Sequence, residues 1–137
     1  MNDMKNHLKI FIQSNSQQLT AAKVAEYSFK KQGFEDIEIM HLHENNLLKK
    51  KYEKKFKRNG KIISFNPNDL QSFTLLRFFP PEICNKRYCL IIDPDVFAVK
   101  SFDFLLKKDN LKKKKIFCTK KNNKLRSEVM LIDCEKF

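Results

Sequence analysis

The stretch YCLIIDPDVFAV, residues 88–99, places two carboxylates directly after a short apolar run. Residues 88–92 are aromatic or aliphatic apart from one cysteine, and this pattern predicts a strand in the interior of a sheet. Asp93-Pro94-Asp95 ends that strand, because proline fixes its own φ and donates no backbone hydrogen bond. We therefore expect a stiff turn that presents two carboxylates at the end of a core strand.

Asp93 and Asp95 belong to the residue type that hard divalent cations prefer. Carboxylate oxygens suit Mg²⁺ or Mn²⁺, which keep several waters and bridge to substrate phosphates. Two unpaired carboxylates this close repel each other and raise the pKa of one of them, and a divalent ion removes that penalty. The alternative is that Asp93 caps a turn while Asp95 is solvated, and the motif alone leaves both interpretations open.

A strand, helix and strand precede this motif in the chain. LKIFIQ, residues 8–13, is apolar and rich in β-branched and aromatic side chains, and the polar residues after it indicate a turn. A helical period begins at Ser16, and Gly33 supplies its stop. IEIMHLH, residues 37–43, alternates as a second strand, so the unit has the size of a parallel crossover and predicts an α/β fold. The predicted buried stripe of the helix consists of Ala21, Val24, Ala25, Ser28 and Phe29.

Polar side chains follow both of these strands. Gln13, Ser14 and Asn15 lie at the carboxyl end of the first strand, the edge at which α/β sheets bind ligands. His41 and His43 point to one face of the second strand. That pair is either a polar strand face or part of a metal site with no third ligand nearby in the sequence.

FTLLRFFPPEIC, residues 73–84, predicts a short apolar helix closed by Pro80 and Pro81, since the residue before a proline is disfavoured in a helix. Arg77 is a charge among the apolar side chains of this segment. Burying a guanidinium costs free energy unless an anion meets it. We therefore expect an anionic partner for Arg77.

The 137 residues carry a formal net charge of +12. A basic balance points to nucleic acid, an anionic membrane surface or a phosphorylated substrate. However, the chain has only 2 Gly and no Trp and is rich in Lys, Asn, Ile and Phe, which AT-rich coding produces without selection for a binding surface. The lysine-rich segment 44–61 predicts a surface helix or loop, with recruitment to anionic lipid or nucleic acid as its functional alternative. IFCTKK, residues 116–121, and SEVMLIDCEKF, residues 127–137, predict two further strands.

The sequence contains no apolar run long enough to span a membrane and no signal peptide, which predicts a cytoplasmic protein, with peripheral membrane association as an alternative. Its four cysteines show no CxxC spacing, so we expect small buried hydrophobes in a reducing compartment. They are Cys84, Cys89, Cys118 and Cys134.

Residues 72–106, SFTLLRFFPPEICNKRYCLIIDPDVFAVKSFDFLL, resemble a core block of GT-A type glycosyltransferases similar to glycosyltransferase family eight. Residues 8–31 resemble the first strand and helix of that family, and residues 127–137 resemble its Val-Met-Leu and Asp-Cys strand. The blocks follow one another in the family's order. The matching features of the core block are Arg77-Phe78, Pro81-Glu82, Tyr88 to Ile92, Asp93 to Asp95 and Phe102 to Leu105.

The resemblance implies a Rossmann-like GT-A sheet flanked by helices, and transfer of a sugar from a nucleotide-diphosphate donor to an acceptor hydroxyl on a glycan, lipid or protein. It implies Mn²⁺ or Mg²⁺ as the cofactor and retention of the anomeric configuration, and it identifies no catalytic base. The donor-binding residues that it implies are Gln13, Ser14, Asn15, Arg77 and Asp93, and the implied metal ligands are Asp93 and Asp95.

The sequence also departs from the family. It ends where the family continues, so we expect residues 1–137 to form the N-terminal part of one GT-A domain, truncated at its C-terminus and paired with a complementing half or in an oligomer. Glu128 replaces a small residue of the family, which would crowd the donor site or attract metal. Two other functions stay open: a non-catalytic remnant of the fold, and a basic module for nucleic acid or an anionic surface. The sequence has no nucleic-acid-binding motif, so nucleic acid is not the expected partner.

Overall fold

The computed structural model describes residues 3–41, 55–64, 66, 69, 77–107 and 114–137. Its elements are α1 Asp3–Asn6, β1 Leu8–Ser14, α2 Leu19–Lys31, β2 Ile37–His41, β3 Phe56–Arg58, β4 Lys61–Ile63, α3 Pro80–Ile83, β5 Tyr88–Ile92, a turn of 3-10 helix at Asp103–Leu106, β6 Ile116–Lys121 and β7 Lys124–Asp133.

Five of these strands form one mixed sheet in the order β2-β1-β5-β7-β6. β1 pairs in parallel with both β2 and β5, whereas β7 runs antiparallel to β5 and β6. The chain leaves β1 through α2 to reach β2 on one side, and it later returns to the other side of β1 as β5. The predicted parallel crossover is confirmed, and β1 and β5 are the pair at which the strand order reverses.

Each face of the sheet carries its own apolar core. On one face α2 packs on β1 and β2, and the same core extends over alternate residues of β5 and β7, while the other face lies under α3. The first core includes Leu8, Ile10, Ile12, Ala22, Ala25, Phe29, Phe34, Leu90, Ile92 and Leu131. The second includes Phe11, Met40, Phe79, Cys89, Ile91, Met130 and Ile132. Because β5 is covered on both sides, all five of its residues are buried, as its unbroken apolar run predicts.

The helix α2 begins at Leu19, three residues after the predicted start at Ser16. Residues 16–18 form a turn instead, in which the Gln18 N–H donates to the side-chain Oδ1 of Asn15 at 3.0 Å. The buried side chains of the helix are Ala22, Ala25 and Phe29. Val24 is 51% exposed, so its predicted place on the buried stripe was wrong. Gly33 adopts φ +80° just after the helix, which confirms the predicted stop.

Pro80 and Pro81 open the helix α3 instead of closing one. The prediction for residues 73–84 was wrong at this point, because proline is well suited to the first helical turn, where its missing N–H has no intrahelical partner. Residues 77–78 form a short 3-10 segment before the prolines, and residues 73–76 lie outside the described part of the chain.

The end of the lysine-rich segment 44–61 differs from the predicted helix or loop. β3 and β4 form an antiparallel hairpin, joined by Asn59 at φ 49° and Gly60 at φ 79°. Two residues with positive φ suit the tight turns of hairpins. Residues 42–54 lie outside the described part. Among the described residues, no helix combines the length and apolar character needed to cross a bilayer.

Candidate functional site

The carboxyl ends of β1 and β5 meet at the point where the strand order reverses. In open α/β sheets this crevice is the usual ligand site. The parallel register pairs Ile12 with Ile92, so the next step of the ladder places Gln13 beside Asp93. Side chains alternate between the faces of a strand, so both of these polar groups lie on the face that carries Phe11 and Ile91.

Gln13 is fully buried, with 0% of its surface exposed. Neither its Nε2 nor its Oε1 has a hydrogen-bond partner in the part of the chain that the structure describes. An amide buried without partners costs about 1–3 kcal/mol. A ligand that offers both a donor and an acceptor at this edge would recover that free energy.

Arg77 and Asp93 form a close ion pair in the same crevice. The Nη2 of Arg77 donates to both carboxylate oxygens of Asp93, at 2.9 and 2.8 Å, and its Nη1 donates to Ser127 Oγ at 2.6 Å. Only 18% of the Arg77 side chain and 14% of the Asp93 side chain are exposed. The anion that we expected for Arg77 is therefore Asp93 itself, and the pair fixes the orientation of this carboxylate.

Burial raises the pKa of Asp93 above its ordinary value, although the hydrogen bonds and charge of Arg77 oppose the shift. The charges of Asp95 and Glu128 raise this pKa further. Glu128 lies opposite Asp93 on β7, where its carbonyl accepts the Asp93 N–H at 3.0 Å. Its own backbone N–H and Arg126, at 2.9 Å, lower the pKa of the Glu128 carboxyl. The carboxylates of Asp93, Asp95 and Glu128 thus lie near two guanidinium groups, those of Arg77 and Arg126. A cation would relieve the excess of negative charge.

The Asp93-Pro94-Asp95 segment forms the predicted turn, in which the Val96 N–H donates to the Asp93 carbonyl at 3.2 Å. Pro94 is buried and Asp95 is exposed. The described residues contain no group of three or more His, Cys, Asp or Glu side chains arranged for a metal ion. Mg²⁺ and Mn²⁺ need only one or two protein carboxylates when waters and substrate phosphates supply the other ligands, so this pair suits such a partial site.

Ser14 and Asn15 are buried beside Gln13, but their side chains already have hydrogen-bond partners in the loop that leads to α2 and at Asp69. Ser14 Oγ donates to the Asn15 carbonyl at 3.1 Å. Besides its contact with Gln18, Asn15 donates from Nδ2 to the Asp69 carbonyl at 3.4 Å. The structure therefore joins Arg77 to Asp93 at the end of β5 and places Gln13 at the adjacent end of β1, while Ser14 and Asn15 shape the adjacent loop.

Ser127 and His41 also lie at this edge of the sheet. Ser127, which the sequence did not single out, contacts Arg77 only because β7 pairs antiparallel with β5, and the sequence carries no signal for that register. His41 ends β2 opposite Ser14, at the same edge of the sheet, and His43 lies outside the described residues.

The segment after the aspartate turn is fixed to α2. The Ala98 N–H donates to Ser28 Oγ at 2.9 Å. The Phe102 ring stacks on Phe34 at 4.6 Å and meets Phe29 edge-on at 5.6 Å. These contacts attach the segment that follows the turn to the core, which suits a site that must hold two carboxylates in place.

Comparison with known proteins supports the fold. Neither models of protein families nor curated protein sequences gave a match to this chain. Among solved structures, the apo form of the glycosyltransferase GlyE from Streptococcus pneumoniae TIGR4 is similar, with a TM-score of 0.59 and 14% sequence identity. The similarity covers 95% of this chain and 34% of GlyE, so the chain spans about a third of that protein. The predicted fold, an α/β sheet of the glycosyltransferase type flanked by helices, is confirmed.

Proposed function

We propose that this chain is the donor-binding part of a metal-dependent glycosyltransferase similar to family eight, which moves a sugar from a nucleotide diphosphate to an acceptor hydroxyl. The observations that carry the proposal are the Arg77–Asp93 ion pair at the end of β5, the buried Gln13 amide at the adjacent end of β1, and the similarity of the sheet to that of a glycosyltransferase. Sugar transfer makes a diphosphate leaving group, so a crevice that combines carboxylates for a cation with a guanidinium has the required chemistry.

Asp93 and Asp95 are the residues proposed to hold Mn²⁺ or Mg²⁺. When bound, the cation would neutralise the negative charge that develops on the departing diphosphate. Arg77 orients Asp93 through two hydrogen bonds, so the carboxylate is already immobilised before a ligand arrives. The raised pKa of Asp93 has a direct consequence for binding, since a proton competes with a cation for this carboxylate as the pH falls.

Gln13 is proposed to contact the nucleotide of the donor. Its buried amide has both a free donor and a free acceptor among the described residues, which suits the mixed edge of a nucleobase or a ribose hydroxyl. Ser14 and Asn15 are proposed to line the nucleotide pocket through the loop that they stabilise. Arg77 has one further buried donor, Nε, that no described residue satisfies and that a sugar or phosphate oxygen could accept from.

Isothermal titration of the full chain with nucleoside diphosphates and Mn²⁺ tests the proposal. We expect binding only when metal and nucleotide are both present, and a loss of at least about tenfold in affinity for Asp95→Asn. Asp95 is exposed, so this substitution spares the core. Glu135→Gln is the matched control, because it removes an exposed carboxylate at the opposite end of β7. Binding that is absent, or equal in both variants, contradicts the proposed function.

Turnover is a separate question from binding, because the chain spans about a third of GlyE. We propose that a complementing C-terminal polypeptide or a second copy supplies the site that binds the acceptor. The acceptor is a glycan, a lipid or a protein. Metal-dependent donor hydrolysis that appears only when such a polypeptide is added would support this division of labour. Donor binding without hydrolysis under any of these conditions would favour a non-catalytic remnant of the fold.

An anionic membrane surface is a second candidate partner, favoured by the ribbon formed by β6 and β7. The tip of this hairpin is exposed and basic, with Lys120, Lys121, Lys124 and Arg126 around Leu125, which is 75% exposed. Lysines near anionic headgroups contribute about 1 kcal/mol each, and an exposed leucine adds apolar burial. The ribbon leads directly into Ser127 and Glu128 at the site, so a lipid-borne acceptor would be delivered beside it.

Sedimentation with vesicles separates this candidate from general polyanion binding. We expect the chain to bind vesicles that contain anionic lipid, to bind less at high salt, and to bind less after Leu125→Ser. Retention on a polyanion that Leu125→Ser leaves unchanged would instead indicate a purely electrostatic surface, as for nucleic acid.

A further inference from the structure

Three cysteine side chains meet at the start of β5, at the opposite end of that strand from Asp93. Cys89 lies in β5 opposite Ile132 of β7, and the pairing continues past the strand because the Cys134 N–H donates to the Arg87 carbonyl at 2.8 Å. Cys84 follows α3 and packs on the same core. The three residues are far apart in the sequence, and only the antiparallel pairing of β5 with β7 brings them together.

The thiol of Cys84 lies over the backbone to which Cys134 is paired, and the three cysteines differ in exposure. Its Sγ donates to the Lys86 carbonyl at 3.4 Å and to the Tyr88 carbonyl at 3.8 Å, on either side of the Arg87 carbonyl that accepts the Cys134 N–H. All four cysteines are free thiols, but the predicted burial is confirmed only for Cys89, which is completely buried. Cys84, Cys118 and Cys134 are partly exposed. A reagent from solvent therefore reaches Cys84 or Cys134 before Cys89.

The charges around the thiols favour one thiolate at Cys84. The hydrogen bond from Cys89 contributes most to lowering the pKa of Cys84 to about 6, and the nearby ammonium of Lys9 adds to it. Burial raises the pKa of Cys134 to about 11, with the charges of Cys84 and Asp133 adding to the effect. The hydrogen bond to Cys84 and burial raise the pKa of Cys89.

Two carboxylates hold the ammonium group of Lys9 in position. It forms ion pairs with Glu38 at 2.7 Å and Asp36 at 4.0 Å. In the sheet Lys9 is the direct β1 neighbour of Cys89. Thiolates beside a cation and hydrogen-bond donors are the reactive ones, while buried thiols without such partners are inert.

We propose that Cys84 is a site of oxidation by hydroperoxides and that Cys134 closes the oxidised form as a Cys84–Cys134 disulfide. The Cys84 sulfur attacks one peroxide oxygen, so that an S–O bond forms, the O–O bond breaks, and the sulfur loses two electrons to the peroxide. The departing hydroxide or alkoxide takes up a proton. The Cys134 sulfur then loses its proton and attacks Cys84, the S–S bond replaces the S–O bond, and water leaves.

Cys134 is the better resolving thiol because it lies in a turn. Residues 134–136 follow the last residue of β7 and can adjust to close a bond. Cys89 is held by strand pairing on both sides, with Lys9 and with Ile132, so its backbone has less freedom than that of Cys134 to adjust when a bond closes. The site does not depend on the proposed function, since no residue of the donor crevice takes part in it.

Tryptic mapping of the full chain tests the proposal without any substitution, because each cysteine lies in a different peptide. The peptides are Phe78–Lys86 with Cys84, Tyr88–Lys100 with Cys89, Ile116–Lys120 with Cys118, and Ser127–Lys136 with Cys134. After treatment with one equivalent of hydrogen peroxide at pH 7, we expect the linked peptide of Cys84 and Cys134 and free thiols at the other two cysteines. Before oxidation, alkylation at pH 6.5 should be about tenfold faster at Cys84 than at Cys118.

Two variants distinguish the thiol that the peroxide oxidises from the thiol that then forms the disulfide. In Cys134→Ser the sulfenic acid should persist on Cys84 and react with dimedone, while Cys84→Ser should lose both the dimedone adduct and the disulfide. Cys118→Ser is the matched control and should behave as the unaltered chain. A link between Cys84 and Cys89, oxidation that begins at Cys118, or equal alkylation of Cys84 and Cys118 would overturn the proposal.

Discussion

Asp93 and Asp133 are buried carboxylates at opposite ends of the paired strands β5 and β7, and they are neutralised in different ways. Asp133, with 1% of its side chain exposed, pairs with two cations that are both more than a third exposed: Lys136 of the following turn at 3.1 Å, and Arg87 of the distant segment before β5 at 3.6 Å. Asp93 has one cationic partner, Arg77, which is itself mostly buried and lies 16 residues away in the sequence.

The surroundings of the two carboxylates differ as well. Asp93 has Asp95 and Glu128 nearby and a buried Gln13 amide without partners in the described structure, and its pKa is raised. Asp133 accepts a local backbone N–H from Glu135, as expected of a carboxylate that closes a turn. Asp133 is thus neutralised by two largely exposed cations, whereas Asp93 has one mostly buried cation and lies near two further carboxylates.

Removing Arg77 should have the largest effect. Arg77→Met leaves the Asp93 carboxylate buried without its cation, and we expect a loss of about 3 kcal/mol in the free energy of unfolding at neutral pH. Arg87→Met, the matched change at Asp133, should cost less than about 1 kcal/mol, because Arg87 is exposed and Lys136 remains. Urea denaturation measures both, and equal losses would remove the distinction between the two carboxylates.

The loss in Arg77→Met should also depend on pH. Arg77 lowers the pKa of Asp93, so its removal raises that pKa further above the value in the unfolded chain. A carboxyl whose pKa is raised by folding favours the folded state below the unfolded value, and this contribution is lost as the pH rises through the folded pKa. The deficit of the variant should therefore be greatest at neutral pH and shrink on acidification. A deficit independent of pH would mean that lost packing, not charge, explains it.

Gln13→Leu should have an intermediate effect: it should raise the stability of the folded chain and weaken nucleotide binding. Leucine removes two buried polar atoms that lack partners among the described residues, so we expect a gain of about 1 kcal/mol in the free energy of unfolding. The same change should weaken nucleotide binding several-fold. Asn15→Leu is the contrasting control and should lose stability, because the Asn15 side chain accepts from the Gln18 N–H and donates to the Asp69 carbonyl. A destabilised Gln13→Leu variant would show that the amide has a partner in the folded chain.

Glu128→Gln should have the smallest effect. The charge of Glu128 contributes to the raised pKa of Asp93, so its removal should lower that pKa toward the ordinary value. Because the Glu128 side chain is 35% exposed, we expect less than about 0.5 kcal/mol of added stability at neutral pH. Carboxyl chemical shifts followed by NMR against pH report the change, with Glu135→Gln as a control that should leave Asp93 unmoved.

Much of the sheet could be predicted from the sequence, because local patterns determine its elements. β5 and β6 have the predicted bounds, since unbroken apolar runs and the Asp-Pro turn are local signals. Where two local signals compete, the prediction was less successful. Pro80 ends a helical pattern as readily as it begins one, and Val24 and Ala22 fit a buried stripe about equally until tertiary packing selects Ala22.

Individual residues of the candidate site could be predicted from the sequence, but the contacts between them could not. Arg77 was expected to meet an anion, but the identity of that anion depends on how the segment before α3 folds over β5. The contact with Ser127 depends on the antiparallel register of β7, and the proximity of Gln13 to Asp93 depends on the parallel register of β1 with β5. Strand register between distant segments has no local signature, so these contacts had to come from the structure.

Paramagnetic broadening by Mn²⁺ compares the two ends of β5 in one measurement. In NMR spectra of the full chain with a nucleoside diphosphate, trace Mn²⁺ should broaden the amide signals of Gln13, Ile92 and residues 93–96, and should leave Cys89 and Asp133 sharp. The broadening should vanish in Asp95→Asn. Equal broadening at both ends of the strand, or broadening around Asp133 alone, would contradict a donor site at the carboxyl ends of β1 and β5.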